Sequence, residues 1–130
     1  MAKTKRATAP SLPRPLGVER LEALPLDEVV TSLGTPHQER AALWTLVAAG
    51  PEAVEAVKRG LRSSSAAVRR GCCEYLDLCG DQEATRAVVP LLDDPDHRVR
   101  WMAAHALTCE RCTTHNTWIK RQQRRQSSTR

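Results

Sequence analysis

The sequence predicts an all-α fold, an α-solenoid of about three antiparallel helix pairs with disordered basic termini. Three observations carry it. Short stretches of helical apolar spacing are bounded by residues that start and stop helices. The chain repeats itself at a shift of 31 residues. The only aromatics are Trp44, Tyr75, Trp101 and Trp118, with no Phe, so Ala, Leu and Val must build a core in which helices approach closely. At 130 residues the chain holds one domain of ordinary size.

Residues 1–17 form a basic N-terminal segment predicted to be disordered, because Pro10, Pro13 and Pro15 sit amid Lys, Arg, Thr and Ser without any apolar period. The same prolines prevent the amphipathic helix of a transit peptide. Residues 18–112 form the helical repeat domain, and 113–130 a basic tail also predicted to be disordered. Within the domain, Asp27 is placed to cap a helix through Val29, Val30 and Leu33 to Gly34. Thr35-Pro36-His37-Gln38 reads as an N-cap, a proline in the first helical position and a capping-box residue. The helix that follows runs to Ala49 and stops at Gly50, and Pro51 opens the next, with Val54, Val57 and Leu61 at helical spacing.

The internal repeat is the most informative feature. Glu52, Ala53, Ala56, Val57, Leu61, Val68, Arg69 and Leu76 fall on Glu83, Ala84, Ala87, Val88, Leu92, Val99, Arg100 and Leu107. Ordinary composition would supply only about two such matches. A fainter copy aligns Leu46 and Gly50 with Leu76 and Gly80. Three helix pairs then account for residues 26–111, with Val57, Leu61, Val68, Leu76, Val88, Leu92, Val99 and Leu107 expected between the layers.

Val68-Arg69, the turn Asp93-Asp94-Pro95-Asp96-His97-Arg98-Val99-Arg100, the small pairs Cys72-Cys73 and Ala103-Ala104, and Leu76 and Leu107 resemble HEAT repeats. The likeness is closest to the short type found in many bacterial proteins and covers about two-thirds of the chain. Pro90 fits, since first helices in that family often bend at a proline. The resemblance implies a non-catalytic scaffold or adaptor that mediates protein–protein interaction through a concave face of second helices. It also implies that Arg69 and Arg100 each pair with an Asp of a neighbouring inter-helix turn, for which Asp93, Asp94 and Asp96 are available. The other reading of Arg69 and Arg100 is a cationic ladder for an acidic partner, and Arg69, Arg70, Arg98, Arg100 and Trp101 are the candidate partner-binding residues.

Charge supports a second function. Nine of the 20 Lys/Arg lie in 1–14 and 120–130, where there is no acid, so residues 15–119 hold 11 cations against all 15 acids. Two basic tails on an acidic body suit weak contact with nucleic acid. A HEAT-like enzyme, such as a lyase or glycosylase fragment, is a third reading, against which stands the lack of any convergent acid, base, nucleophile or phosphate loop. Five Cys with no secretory h-region point to reduced thiols in the cytoplasm, and no apolar run approaches the length of a membrane span. Cys72, Cys73 and Cys79 stand where the repeat wants small core residues. Cys109, Cys112 and His115 have zinc-like spacing but lack a fourth ligand, so neither metal nor cofactor is expected. Asp93, Asp94 and Asp96 read as a turn, with Asp94 as the cap. Beyond Cys112 only Trp118 and Ile119 remain to cover the third pair. The chain is therefore expected to be a truncated piece of a longer array, or to self-associate through an open C-terminal end.

Overall fold

Small apolar residues at helical spacing become seven α-helices and two 3₁₀ segments among residues 14–108, the part of the chain that the computed structural model describes. The order is α1 (Val18–Glu22), α2 (Leu26–Ser32), α3 (Glu39–Ala49), a 3₁₀ turn (Gly50–Ala53), α4 (Val54–Gly60), α5 (Ala66–Cys79), α6 (Gln82–Thr85), a 3₁₀ stretch (Arg86–Asp93) and α7 (His97–Thr108). The first helices, α2 and α4, pack on each other, and the second helices α3, α5 and α7 pack in a row beside them. Three helix pairs thus stack into two layers, a short α-solenoid.

The interior lies between the layers. Leu46, Val57, Tyr75, Leu76, Val88 and Val99 are fully buried. Cys72 and Cys73 are buried as the small apolar residues expected of them, and burial pushes both thiols up to about 12, so they stay protonated at neutral pH. Cys79 is half-buried, and its thiol is pushed up to about 12 for the same reason. Tyr75 donates its hydroxyl proton to the Gly50 carbonyl at 2.6 Å, which ties α5 to the end of α3. Gly60 lets α4 come close to both α2 and α5: a Cβ there would stand 2.5 Å from Val30 Cγ1 and 2.6 Å from Cys72 Sγ.

Local details correct several expectations. Leu92, expected in the core, is 40% exposed. The segment carrying it is 3₁₀ rather than α, with Pro90 inside it. At three residues per turn the face of Val88 continues at Leu91, not at Leu92, and Leu91 is the residue packed against the core. Leu107 is half-buried on that core rather than enclosed. Asp27 does not cap α2, which starts at Leu26 after Pro25; it sits in the first turn and binds Arg59. Thr35 is not an N-cap either. Residues 35–38 form a turn closed by Gln38 N–H to the Thr35 carbonyl, with His37 at φ 69, so α3 begins only at Glu39. The stop at Gly50 stands, with φ 69.

Candidate functional site

Equivalent turns lead into α5 and α7, and their caps fix how the second helices present their side chains. Ser65 accepts the Val68 N–H at the start of α5. At the start of α7 the cap is Asp96, not Asp94: its Oδ1 accepts the N–H groups of Arg98, at 2.8 Å, and of Val99. Those backbone donors, the Arg98 one above all, hold the Asp96 carboxyl below its ordinary value. Asp94 takes another role. Its buried carboxylate receives Arg69 Nε at 2.8 Å and Nη2 at 3.1 Å, a fork-to-fork pair, while Arg69 Nη1 reaches the Ser63 carbonyl. This is the pairing across units that the resemblance implies. The hydrogen bonds from Arg69 hold the Asp94 carboxyl below its ordinary value. Arg100, the repeat equivalent of Arg69, is expected to pair with an Asp in the same way but instead donates to the backbone carbonyls of Asp94 and Pro95, and so braces the same turn.

The five candidate residues therefore separate. Arg69 and Arg100 hold the inter-helix turn of unit three, whereas Arg70, Arg98 and Trp101 lie exposed on the second helices. Arg70 and Arg98 line one small cleft together with Ala66, Ala67 and Asp96. Trp101 is 65% exposed, and its ring stacks on that of His105 at 5.0 Å. His105 in turn places Nε2 3.4 Å from Oδ2 of the buried Asp77, which links α7 to α5. The other oxygen, Asp77 Oδ1, is buried without a hydrogen-bond partner.

Between α3 and α5 the second helices part to form a cavity of about 280 Å³. Its walls are apolar: Leu33, Leu43, Trp44, Val47 and Leu78. Glu39, Arg40, Arg70 and Glu74 supply its charge. Burial pushes the Glu74 carboxyl above its ordinary value, against the pull of Arg70. Pro15 reaches this cavity from the stretch ahead of α1, and Arg14 lays its guanidinium 5.7 Å from the Trp44 ring centroid while pairing with Glu22 at 2.7 Å. Sequence reasoning missed Arg40, Trp44 and Glu74. The signal existed in the faint first copy, because the shift of 30 that aligns Gly50 with Gly80 also sets Arg40 on Arg70 and Trp44 on Glu74.

Cys109, Cys112 and His115 lie outside the described residues, as do Trp118, Ile119 and most of both basic tails. Among the described residues no cluster of His, Cys, Asp and Glu could hold a metal ion, and no helix is long and apolar enough to cross a membrane.

Stacked helix pairs braced by an arginine–aspartate fork between units define a short α-solenoid of the helix-pair repeat class. The family model for HEAT repeats matches residues 54–110, and the chain is a HEAT-repeat-containing protein. Such repeats commonly mediate contact between proteins and are typically non-catalytic. No curated protein and no solved structure matches the chain.

Proposed function

We propose that the protein is a non-catalytic scaffold or adaptor, acting in a bacterial cytoplasm, whose repeat domain at 18–112 captures a protein partner on the face of its second helices. The observation that supports this reading is the cavity between α3 and α5, with apolar walls and four charged residues around it. An apolar pocket beside charged side chains suits an anchor residue of a protein ligand, whose neighbours then pair with the charges. We put partner contact on Arg70, Arg98 and Trp101 together with Arg40 and Trp44, and assign Arg69 and Arg100 to holding the turn. Self-association is the second reading, favoured by the 47% exposure of Val89, 40% of Leu92 and 65% of Trp101.

Affinity capture from extract of the source cells tests the first reading. Its bait is the full chain, compared with an Arg70→Glu, Arg98→Glu, Trp101→Ala variant and with a chain lacking 1–14 and 120–130. The expected result is a protein partner lost by the triple variant and kept by the tail deletion. A partner indifferent to the triple variant would overturn the proposal. Recovery of nucleic acid alone, lost with the tails and weakened steeply by salt, would put the basic tails in its place. Sedimentation at rising concentration reads out self-association directly.

A further inference from the structure

The first-helix face carries a second groove, which the proposed partner site does not use. It opens between α4 and the 3₁₀ stretch, runs to about 610 Å³ and is the larger of the two. Its origin lies in the repeat itself. α2 packs directly on α4, but α4 and the 3₁₀ stretch stand apart. Where unit two has Gly60, which lets α4 approach its neighbours, unit three has Leu91, whose side chain spans the gap to the core.

Charge on this groove runs against the rest of the body. Residues 14–108 hold 11 Lys/Arg against 14 Asp/Glu, a net negative charge. Four of those cations, Lys58, Arg59, Arg62 and Arg86, line this one groove, with Glu55 as the single acid among the described residues that line it. Arg59 is bound to Asp27, and Lys58 lies 3.8 Å from Glu55. Arg62 and Arg86 are exposed and have no ion-pair partner among the described residues. Between the cations the groove is lined by Leu61, Ala87, Pro90 and Leu91.

From this arrangement we infer that the first-helix groove docks an acidic segment of a protein partner, which sets carboxylates on Arg62 and Arg86 and an apolar side chain among Leu61, Ala87 and Leu91. Charge complementarity selects an anion. The aliphatic lining selects a peptide over nucleic acid, because single strands bind on aromatic stacking platforms and duplexes on rows of phosphate contacts. Among the described residues no aromatic side chain lines this groove. Phosphates laid on Leu and Pro would lose hydration without gaining a partner, whereas a Leu or Val side chain gains by its burial there.

The experiment uses the full chain labelled with ¹⁵N and a fluorescein-tagged peptide of Glu-Glu-Leu repeats. Binding followed by anisotropy is expected to weaken about tenfold or more in an Arg62→Glu, Arg86→Glu variant. An Arg20→Glu variant, whose exposed side chain lines neither this groove nor the proposed partner site, should bind as the parent does. Amide shift changes should centre on Leu61, Ala87 and Leu91, which separates the groove from attraction to the basic tails. A polyglutamate peptide without Leu should bind several-fold more weakly. The inference is overturned by affinity that survives the Arg62 and Arg86 reversals, or by shift changes confined to 1–13 and 109–130. It is equally overturned by polyglutamate binding as tightly as the Leu-containing peptide, or by an oligothymidylate that perturbs the same amides and displaces the peptide. Both reversed residues are exposed, and an unchanged circular dichroism spectrum shows that the variant is folded.

Discussion

Units two and three align residue for residue at a shift of 31, yet their first helices pack by different rules. In unit two α4 is a regular helix, Gly60 lies against Val30 and Cys72, and Leu61 is 6% exposed. In unit three the equivalent stretch is 3₁₀ with Pro90 inside it, Leu91 takes the place of Gly60, and Leu92, the counterpart of Leu61, is 40% exposed. One identical leucine thus serves as core in one unit and surface in the next. Repeat identity fixes which residue stands at a position, and the helix type decides which way that residue faces.

The largest expected effect tests that contrast directly. Leu61→Ala should cost about 3 kcal/mol, within the range for a buried leucine, whereas Leu92→Ala should cost less than about 1 kcal/mol. Urea unfolding of the two variants against the parent measures both. Equal costs would mean that Leu92 packs as its repeat partner does and that the two units are alike after all.

The second test concerns the inter-helix turn of unit three, where the repeat-equivalent arginines of the two units meet different partners. Arg69 grips the buried carboxylate of Asp94, but Arg100 has only backbone carbonyls. Asp94→Asn should cost about 2–3 kcal/mol at neutral pH, because it leaves a half-buried guanidinium short of its counter-charge. Arg69 holds the Asp94 carboxyl below its ordinary value of 3.8. The pair's contribution is therefore complete above about pH 4 and is lost as pH falls through the depressed folded value. Unfolding curves for parent and variant should separate at neutral pH and converge in acid. A constant separation down to about pH 2 would show that Asp94 acts by packing rather than by charge.

Most of the architecture was legible in the sequence because its cause is periodic. Val57, Val68, Leu76, Val88 and Val99 occupy the expected interior because spacings of three, four and seven require nothing more than a helix. The misses share another cause: they sit where one local conformation overrides the period. His37 in the left-handed region moves the start of α3 to Glu39, and the 3₁₀ stretch around Pro90 turns Leu92 outward. Asp96 rather than Asp94 caps α7, since Asp94 is held by an arginine 25 residues away, a contact that local turn chemistry does not encode. The candidate site was only partly legible for the same reason. Arg70, Arg98 and Trp101 belong to the better-matched copies, whereas Arg40 and Trp44 belong to the copy whose repeat signal is faintest.

The smallest expected effect addresses why the third unit differs at all. In an α-helix the Pro90 ring would collide with the Arg86 carbonyl and its missing N–H would leave that carbonyl without a donor, so a regular α-helix is disfavoured through this stretch. If the proline is the cause, Pro90→Ala lets the stretch relax towards α geometry, and the inward face passes from Leu91 to Leu92. The stability of this single variant should shift by less than about 1 kcal/mol, because one leucine replaces another in the core. The informative quantity is the coupling. Leu92→Ala should become more costly by at least about 1 kcal/mol in the Pro90→Ala background than in the parent, and Leu91→Ala correspondingly less so. The groove beside α4 should narrow as Leu91 turns outward into it, weakening the Glu-Glu-Leu peptide. Additive costs at Pro90 and Leu92 would locate the cause instead in Gly60 and Leu91, whose exchange of small for large sets how near each first helix can come to the core.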